Sequence, residues 1–364
     1  MSSAKFTFCV PNLNKIQYLP ACIESILNQD CQDWRCVFVD GYSTDGSWEY
    51  MQQFASDPRF LLLRGKQQGM YEDWNECLRH VETEYFYFLT SDDTCFPALV
   101  STTVSALDAC PDIDVCHFQF AYIDAAGMLL RSHEAIVRTQ LPLYCEVNQS
   151  AHRRSGLCEF MMHFIYRTLY ITITSLVFRR NLISKMQGFS SAYGAVGDYD
   201  WTMRLGLFSD VLYVPKLLAT WRLYEEQATQ QDCFSPQVTE KLLAIAQDNL
   251  DVLSQMNQAN DLKQPINTAQ ILSNLSGEHA LGLYKQIGAV ASFSNALKST
   301  FTAVKKYPAY PAKYIFKKIS ERIDPSKLRP FYYKNTAAHK LIHDYGLQWP
   351  PTPVEIQKHQ SVLR

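Results

Sequence analysis

The sequence predicts an α/β fold in which a mostly parallel central sheet is flanked by helices, followed by a mainly helical C-terminal region. Through the first ninety residues, short apolar runs alternate with segments of helical periodicity. This alternation indicates βαβ units joined by right-handed crossovers. Strand signals become scarce after about residue 230. We therefore predict two regions, with an α/β domain over 1–230 and a mainly helical region over 231–364.

The strands and helices of the first ninety residues follow from two patterns. Strands are predicted where short runs of apolar, β-branched and aromatic residues occur. Helices are predicted where apolar residues recur every three or four positions, as Leu19, Ile23 and Ile26 do. The predicted strands are 5–10, 35–39, 60–63 and 85–89, and the predicted helices are 16–28, 47–55 and 70–81.

Signals are more mixed in the rest of the chain. A helix is predicted over 97–109, strand-like runs over 115–122, 127–130, 170–178 and 211–214, and helices over 238–256, 268–287 and 289–304. The stretch 131–154 has no clear pattern. The tail over 301–345 is basic and rich in aromatic residues. Such basic residues usually form a solvated face, and binding to an anionic membrane surface, with the aromatic residues at the interface, is the alternative hypothesis.

Composition excludes some classes of protein. The 364 residues carry a formal net charge of −2, which gives no case for a nucleic-acid partner. No run reaches the roughly 18 apolar residues that cross a bilayer, and no leader pattern precedes the first strand. The 11 cysteines form no Cys-x-x-Cys pair and are interpreted as reduced core residues. We therefore expect a cytoplasmic protein, with peripheral binding to the inner face of the membrane through the tail as a further hypothesis.

Two adjacent carboxylates follow the fourth predicted strand. Asp92 and Asp93 come directly after the run 85–89, and ligands of open α/β sheets bind at the carboxyl ends of strands. Hard oxygen ligands there suit Mg²⁺ or Mn²⁺, which usually arrive with a substrate's phosphates. The pair therefore predicts an enzyme that handles a diphosphate. A solvated turn or a helix cap is the alternative interpretation.

Polar residues also end the first two strands. Asn14 follows the first strand and Asp40 ends the second, and an acidic residue at this edge can accept hydrogen bonds from a ribose or a base N–H. Ser43 and Asp45 are equally suited to cap a helix. The glycine-rich fingerprints of dinucleotide-binding and P-loop proteins are both missing.

Several blocks, in the correct order over residues 5 to about 230, resemble family 2 glycosyltransferases of GT-A fold. The branch that they resemble acts in bacterial surface-polysaccharide biosynthesis. The blocks are Pro11 to Asn14, Gln29, Asp40 to Gly46, Gly69 to Asn75, Thr90 to Asp93, Gly188-Phe189, Gly197 to Arg204, and Trp221 to Leu223.

The resemblance implies a role for each matching residue. Asp40 would contact the donor base, commonly uracil, in a pocket that Pro11 and Asn14 line. Asp92 would contact the sugar or ribose, and Asp93 would coordinate a divalent cation, Mn²⁺ or Mg²⁺. Asp198 would be the general base of an inverting transfer, although a carboxylate at a helix N-terminus is also stabilised by the helix dipole. The further residues implied in nucleotide-sugar binding are Tyr42, Gly69, Tyr71 and Asn75, of which Tyr71 could equally be a core aromatic.

Three positions depart from the family pattern. Ser91 stands where the first Asp of the metal motif is expected, Trp74 where Arg is frequent, and Tyr224 where many members carry His. The resemblance therefore implies either weaker metal dependence or a cation held mainly by Asp93 and the phosphates.

The expected function is inverting transfer of a sugar, from a nucleotide-diphosphate sugar such as a UDP-sugar, to a hydroxyl of a glycan or lipid-linked acceptor. A sugar nucleotidyltransferase shares this type of sheet, but it normally carries a glycine-rich loop with Arg and Lys after the first strand. A catalytically inactive GT-A-like binding or scaffold protein is the second alternative, which Ser91 and Tyr224 make conceivable.

Overall fold

Nine strands form one sheet in the computed structural model of the chain. The structure describes residues 4–130, 142–144, 146–166, 168–225, 227, 236–272, 274 and 332–356. The strands are β1 (Phe6–Asn12), β2 (Trp34–Asp40), β3 (Phe60–Arg64), β4 (Tyr85–Phe88), β5 (Val115–Ile123), β6 (His152–Arg154), β7 (Leu176–Arg179), β8 (Val211–Arg222) and β9 (Thr352–Pro353).

The order of the strands across the sheet is β3-β2-β1-β4-β7-β5-β8-β6-β9. The first four are parallel and are the four strands predicted from the first ninety residues. β7 then runs antiparallel between β4 and β5, while β5 and β8 pair in parallel. β6 and β9 add two antiparallel pairings at the far edge. The sheet is therefore parallel where the site residues were predicted and mixed beyond.

Helices flank the sheet in the order that the periodicity predicts. The principal helices of the described residues are α1 (Leu19–Leu27), α2 (Ser47–Gln52), α3 (Met70–Arg79), α4 (Leu99–Asp108), α5 (Gly156–Tyr166), α6 (Asn181–Met186), α7 (Gly197–Phe208), α8 (Pro236–Gln255) and α9 (Tyr332–Tyr345). In α1, Pro20 lies in the first turn, where a missing backbone N–H costs nothing. Its buried stripe of Leu19, Cys22, Ile23 and Ile26 has the spacing of one helix face.

The structure differs from the prediction in the mixed part of the chain. The predicted strand over 127–130 is a hairpin turn, in which Gly127 has a φ of 86° and Asp124 N donates to Met128 O at 2.9 Å. β6 lies in the stretch that had no pattern, because a three-residue strand is too short to show an alternation. A 3₁₀ turn over Ile173–Ser175 shortens the predicted run 170–178 to β7.

The core lies against the parallel strands and is strongly aromatic. Phe6, Phe8 and Tyr87 are fully buried, and the rings of Phe8 and Tyr87 meet edge to face at 5.9 Å. Of the cysteines in the described residues, nine are free and eight of those are buried. They act as small hydrophobic residues of the core.

Contacts divide the chain into two compact units. The first comprises Met1–Glu159, Tyr170–Glu225 and Gln348–Arg364, and the second Phe160–Leu169 and Glu226–Leu347. The first unit holds the sheet, including β9 from the C-terminal end. The predicted helices 268–287 and 289–304 and most of the tail 301–345 lie outside the described residues, apart from 268–272, 274 and α9. Within the described ranges, no helix is long and apolar enough to span a bilayer.

Candidate active site

Asp40 is a fully buried anchor at the carboxyl end of β2. The strand register places it beside Asn12 of β1 and Arg64 of β3. Asp40 Oδ1 accepts from Asn12 Nδ2 at 2.9 Å, and Oδ2 accepts from Ser43 N at 2.9 Å and from the Arg64 guanidinium. Burial of a carboxylate is tolerated when donors surround it in this way. Asp40 thus holds the loop after β2 and the side chain of Arg64.

The loop residues predicted for the donor pocket lie around Asp40. Asn14 has a φ of 52° and accepts from Thr44 N at 2.8 Å, which ties the β1 loop to the β2 loop. Tyr42 has a φ of 67° and is 46% exposed, with Arg64 5.3 Å from its ring. Pro11 is buried within β1. The structure therefore brings Pro11, Asn14, Asp40 and Tyr42 to one corner of the sheet.

Asp93, predicted to bind the cation, is buried and hydrogen-bonded through both oxygens. Its Oδ1 accepts from Arg222 N at 2.8 Å, and its Oδ2 accepts from the hydroxyls of Thr90 at 2.6 Å and Thr174 at 3.1 Å. Burial raises the pKa of Asp93 well above its ordinary value, and the nearby charge of Asp92 raises it further. These contacts give Asp93 a structural role between β4, β7 and β8, while its metal role stays a prediction.

Asp92 is only half-buried, and Tyr224 defines its surroundings. Tyr224 stands where many family members carry His, and its hydroxyl donates to Asp92 Oδ2 at 2.7 Å. The Tyr224 ring packs against Tyr18 at 5.0 Å, and Lys15 Nζ lies 5.0 Å from the Tyr224 ring. Burial raises the pKa of Tyr224 above its usual range, so its hydroxyl keeps its proton and remains a donor.

Arg222 places a buried positive charge beside the two aspartates. Its Nε donates to Asp92 O at 2.6 Å, and one terminal nitrogen donates to Asp124 O at 3.0 Å. The guanidinium lies 4.7 Å from the Tyr18 ring. Backbone carbonyls rather than a carboxylate therefore orient this cation, which leaves its charge available to a phosphate. The sequence showed Arg222 only as part of a motif and did not indicate this role.

The residues present offer limited ligands for a divalent cation. Within the described part of the chain, no three His, Cys, Asp or Glu side chains cluster as a metal site. Of the two adjacent aspartates, Asp93 uses both carboxylate oxygens in hydrogen bonds to the protein, whereas Asp92 uses only one. Mg²⁺ is commonly held by one or two carboxylates together with phosphates and water. The arrangement thus fits a cation that depends on a bound diphosphate for most of its ligands.

Asp198 lies in the first turn of α7, where Tyr71 of α3 holds it. The Tyr71 hydroxyl donates to Asp198 Oδ1 at 3.0 Å and accepts from Asp198 N at 3.0 Å. Gly197 leaves room for this pair, because a Cβ there would lie 2.7 Å from the Tyr71 ring. Burial raises the pKa of Asp198, and the bond from Tyr71 opposes that rise. A carboxylate with a raised pKa is suited to accept a proton.

Aromatic packing connects Asp198 with the end of β4. Tyr71 stacks on Phe189 and meets Trp74 at 5.7 Å, and Trp74 stacks on Phe88 at 4.9 Å. Phe88 is the last residue of β4, four residues before Asp92. Asp198 is therefore fixed to the same edge of the sheet as the aspartate pair.

Two predicted binding residues lie in the block Gly69 to Asn75, and both act on the backbone. Asn75 Oδ1 accepts from Phe189 N at 2.7 Å and its Nδ2 donates to Phe189 O at 2.9 Å. Asn75 therefore holds the turn at Phe189 against α3, and its contact with a nucleotide stays a prediction. Gly69 precedes α3 with a φ of 99°, a conformation that favours glycine.

Asp73 is a buried carboxylate beside the predicted donor pocket, and sequence reasoning missed it. Its carboxyl group lies beside Gly41 and Gly65, the residues that follow β2 and β3. A signal was present, because Asp73 is four residues before Cys77 and therefore shares the buried face of the predicted helix.

Comparison with known proteins gives a match to one family. Residues 7–174 match the sequence profile of Glycosyl transferase family 2. A PGL/p-HBAD biosynthesis glycosyltransferase of Mycobacterium bovis is 33% identical over 108 residues, which are 29% of this chain and 42% of that protein. The putative glycosyltransferase EpsH of Bacillus subtilis is 22% identical over 278 residues, covering 75% of this chain and 76% of EpsH. The match thus spans less than half of the mycobacterial relative.

A solved structure shows the same fold. S. aureus TarS 1–349, in complex with UDP-GlcNAc, aligns over 92% of this chain and 88% of its own, with a TM-score of 0.61 and 18% identity. Likeness at this level of identity concerns the fold alone, and it confirms the predicted GT-A architecture. Residues 7–174 of this chain therefore match Glycosyl transferase family 2 in sequence, and the chain shares the fold of the solved TarS structure.

Proposed function

We propose that this chain is an inverting glycosyltransferase that moves a sugar from a nucleotide-diphosphate donor, a UDP-sugar, to a hydroxyl of an acceptor. The observation that carries the proposal is Asp198, a carboxylate with a raised pKa that Tyr71 holds at the edge of the sheet carrying Asp92. The family 2 domain supports the same activity. The UDP-GlcNAc bound to TarS, which has the same fold, supports a uridine donor.

The chemistry of the proposal needs one base. Asp198 would take the proton of the acceptor hydroxyl as that oxygen attacks the anomeric carbon, and the nucleoside diphosphate would leave from the opposite face. Positioned general-base catalysis of this kind is typically worth roughly 10²–10⁴-fold in rate. Tyr71 would keep one Asp198 oxygen fixed and so direct the other toward the acceptor.

Cations would stabilise the negative charge that develops on the leaving diphosphate. Arg222 supplies a fixed positive charge beside Asp92, oriented before the donor arrives. When bound, Mn²⁺ or Mg²⁺ would neutralise further phosphate charge. Asp93 is the ligand that the resemblance implies, and we propose that Asp92, with one carboxylate oxygen not hydrogen-bonded to protein, also holds such an ion.

Two carboxylates in the first turn of α7 allow a matched test of the base. We expect Asp198→Asn to lower turnover by roughly 10²–10⁴-fold while nucleotide binding persists. Asp200, which pairs with Arg204 at 2.9 Å, provides the control. Asp200→Asn should keep turnover within a few-fold of the wild type and lower the melting temperature instead.

The outcomes separate the competing functions. Unchanged turnover in Asp198→Asn would show that another group is the base. A wild-type protein that binds UDP but consumes no donor would favour the inactive scaffold. Formation of a nucleotide sugar from a sugar phosphate would favour a nucleotidyltransferase.

The proposal extends to the type of acceptor and to the biosynthetic process in which the enzyme acts. We infer a glycan or lipid-linked acceptor in bacterial surface-polysaccharide assembly, because similar proteins include EpsH and a teichoic acid poly(glycerol phosphate) polymerase of Staphylococcus epidermidis. The basic tail over 301–345 would bring the enzyme to an anionic membrane surface. Co-sedimentation with anionic liposomes at low salt tests this idea, and equal recovery with neutral liposomes would count against it.

A further inference from the structure

The hydroxyl of Tyr224 occupies one oxygen of the Asp92 carboxylate. It donates to Asp92 Oδ2 at 2.7 Å, and within the described part of the chain no other group donates to this carboxylate. Arg222 Nε donates to the backbone carbonyl of Asp92 at 2.6 Å. The chain at and just after the end of β8 therefore holds Asp92 at two points and leaves its second carboxylate oxygen open.

The Tyr224 ring is fixed by two neighbours, so its contact with the carboxylate is a built part of the site. The ring packs against Tyr18 with the centroids 5.0 Å apart, and Tyr18 is only 6% exposed. Lys15 Nζ lies 5.0 Å from the centroid of the Tyr224 ring. The loop of Lys15 is itself anchored, because Ile16 N donates to Asp45 Oδ2 at 2.8 Å. Tyr224 cannot turn its hydroxyl away without losing these ring contacts.

Two positive charges lie next to the same aromatic pair. Lys15 contacts the Tyr224 ring, and the Arg222 guanidinium lies 4.7 Å from the Tyr18 ring. Among the described residues, neither of these cations forms an ion pair with a carboxylate. Because like charges repel, both disfavour a divalent cation that approaches Asp92 alone. A diphosphate carries several negative charges and reverses this balance.

The protein alone offers a divalent cation few oxygen ligands at this place. Asp92 has one open carboxylate oxygen, whereas both oxygens of Asp93 already accept hydrogen bonds, from Arg222 N and from the hydroxyls of Thr90 and Thr174. Mg²⁺ in proteins is commonly held by one or two carboxylates together with water and the phosphates of a substrate. The remaining ligands would therefore come from the donor.

Resting on the proposed function, we propose that Tyr224 makes the binding of the divalent cation conditional on the donor. Its hydroxyl holds one oxygen of Asp92, so the cation is bound firmly only when the diphosphate supplies further oxygens and neutralises the nearby positive charges. Tyr224 is thus a positioning residue that couples the two ligands. A protein without this hydroxyl should bind the cation more tightly on its own.

The affinity for Mn²⁺ tests this coupling without any turnover, because electron paramagnetic resonance measures free Mn²⁺ directly. Dissociation constants are determined with and without saturating UDP in the wild type, in Tyr224→Phe and in Tyr85→Phe. UDP should tighten Mn²⁺ binding to the wild type by roughly 100-fold. In Tyr224→Phe, which keeps the ring, binding of Mn²⁺ alone should tighten by roughly tenfold, the order of one hydrogen bond to a charged group, and binding with UDP should change little. Tyr85→Phe removes a hydrogen bond to Asp108 at the other end of β4 and should keep the wild-type ratio.

Reciprocity gives a second measurement. The factor by which Mn²⁺ tightens UDP binding must equal the factor by which UDP tightens Mn²⁺ binding. Calorimetric titration of UDP should therefore show a gain from Mn²⁺ that is roughly tenfold smaller in Tyr224→Phe than in the wild type. If the hydroxyl instead supports the structure of the site, Tyr224→Phe would weaken Mn²⁺ binding and lower the melting temperature, which would overturn the proposal.

A failure here can be told apart from a failure of the proposed function. If the wild type binds UDP and Tyr224→Phe keeps the full coupling, Tyr224 does not control the cation, although the donor proposal stands. Mn²⁺ binding to the wild type that is independent of UDP would also overturn the role of Tyr224 and leave the donor proposal in place. If the wild type binds no nucleoside diphosphate, both proposals fall together.

Discussion

Asp198 and Tyr71 show how one hydroxyl can set the properties of the carboxylate that we propose as the base. The Tyr71 hydroxyl both donates to the Asp198 carboxylate and accepts from the Asp198 backbone N–H. The bond to the carboxylate lowers the pKa of Asp198, against the rise caused by burial. Tyr71 was predicted to bind the nucleotide sugar or to be a core aromatic, and its contacts make it a positioning residue for Asp198.

We expect Tyr71→Phe to reduce kcat by roughly tenfold or more, the order of one hydrogen bond to a charged group. KM for the donor should change little. The acid limb of the pH–rate profile should move to higher pH, because loss of the donor lets the pKa of Asp198 rise. Tyr85→Phe, which removes a tyrosine–aspartate hydrogen bond to Asp108 elsewhere, is the control and should leave the profile in place. An unshifted profile in Tyr71→Phe would remove Tyr71 from the mechanism.

Asp73 predicts a pH dependence of stability that has a definite sign. Its pKa is about 6 in the folded chain, above the ordinary value of 3.8. The protonated group is favoured on folding, so its contribution is complete below pH 3.8 and is lost as the pH rises through 6. Asp73→Asn should therefore be the more stable protein above pH 6, by up to about 3 kcal/mol.

Denaturant unfolding at half-unit steps from pH 4 to 8 measures the free energy of unfolding of Asp73→Asn and of the wild type. The difference between the two proteins should be small at pH 4, grow between pH 4 and 6, and level off above pH 6. Glu72→Gln serves as the comparison, because it removes a charge paired with Arg79 and should not become more stable as the pH rises. A difference independent of pH would contradict the raised pKa of Asp73.

At the scale of elements, a buried polar cluster joins β5, β6, β8 and α5. Arg154 of β6 is fully buried and lies 3.7 Å from Glu159 of α5. It donates to His152 at 2.9 Å and to Asn148 at 2.7 Å. Burial and, to a smaller extent, the charge of Arg154 lower the pKa of His152 to about 4, so this ring is neutral at pH 7. The cluster specifies how the far part of the sheet and α5 pack together.

We expect Arg154→Met to destabilise the protein by about 3 kcal/mol or more, because Glu159 would remain buried without its cation. Tyr144 and Tyr170 would still donate to Glu159. The double variant Arg154→Met/Glu159→Gln should recover part of the loss, as removal of both charges ends the imbalance. Unfolding free energies of the wild type, the two single variants and the double variant measure the coupling. Simple additivity of the two changes would show that the pair is not coupled.

Strands and helices could be predicted from the sequence where their buried residues are apolar and follow one another in a run or at helical spacing. β1, β2 and β4 are short runs buried on both faces, β3 is a partly buried edge strand, and helices of regular periodicity separate the four. β6 could not be predicted, because its three residues His152, Arg153 and Arg154 are polar or charged and are buried by a network rather than by apolar contacts. Asp73 was missed for a different reason: a charged helix residue is normally exposed, although its spacing from Cys77 places Asp73 on the buried face of α3.

At the scale of the whole molecule, the contacts of the aspartate pair could not be predicted from the sequence. Motif spacing identified Asp92 and Asp93, but the partners Arg222 and Tyr224 lie about 130 residues away in the chain. Only the folded sheet brings β8 next to the end of β4. The prediction that Ser91 and Tyr224 weaken the metal's attachment remains open to experiment.

Ligands that bind the folded chain should raise its melting temperature in a set order. UDP should stabilise, since a ligand at 100 times its Kd adds about 2.7 kcal/mol. Mn²⁺ alone should have little effect, because the described residues offer few ligands, whereas Mn²⁺ with UDP should exceed UDP alone. Asp92→Asn should remove the additional shift and keep that of UDP. A large shift from Mn²⁺ alone would show a metal site that is complete without the donor.

The short strand β9 has a consequence for how this protein can be divided. It pairs with β6 from residues 352–353, and Val354 and Ile356 pack against the main core. A gene fragment ending near codon 230 would therefore leave β6 as an open edge, and open edges recruit strands from other chains. Such a deletion would cause aggregation. The resulting loss of activity would then be mistaken for evidence that the C-terminal region has a catalytic role. A fair deletion keeps residues 348–356 attached.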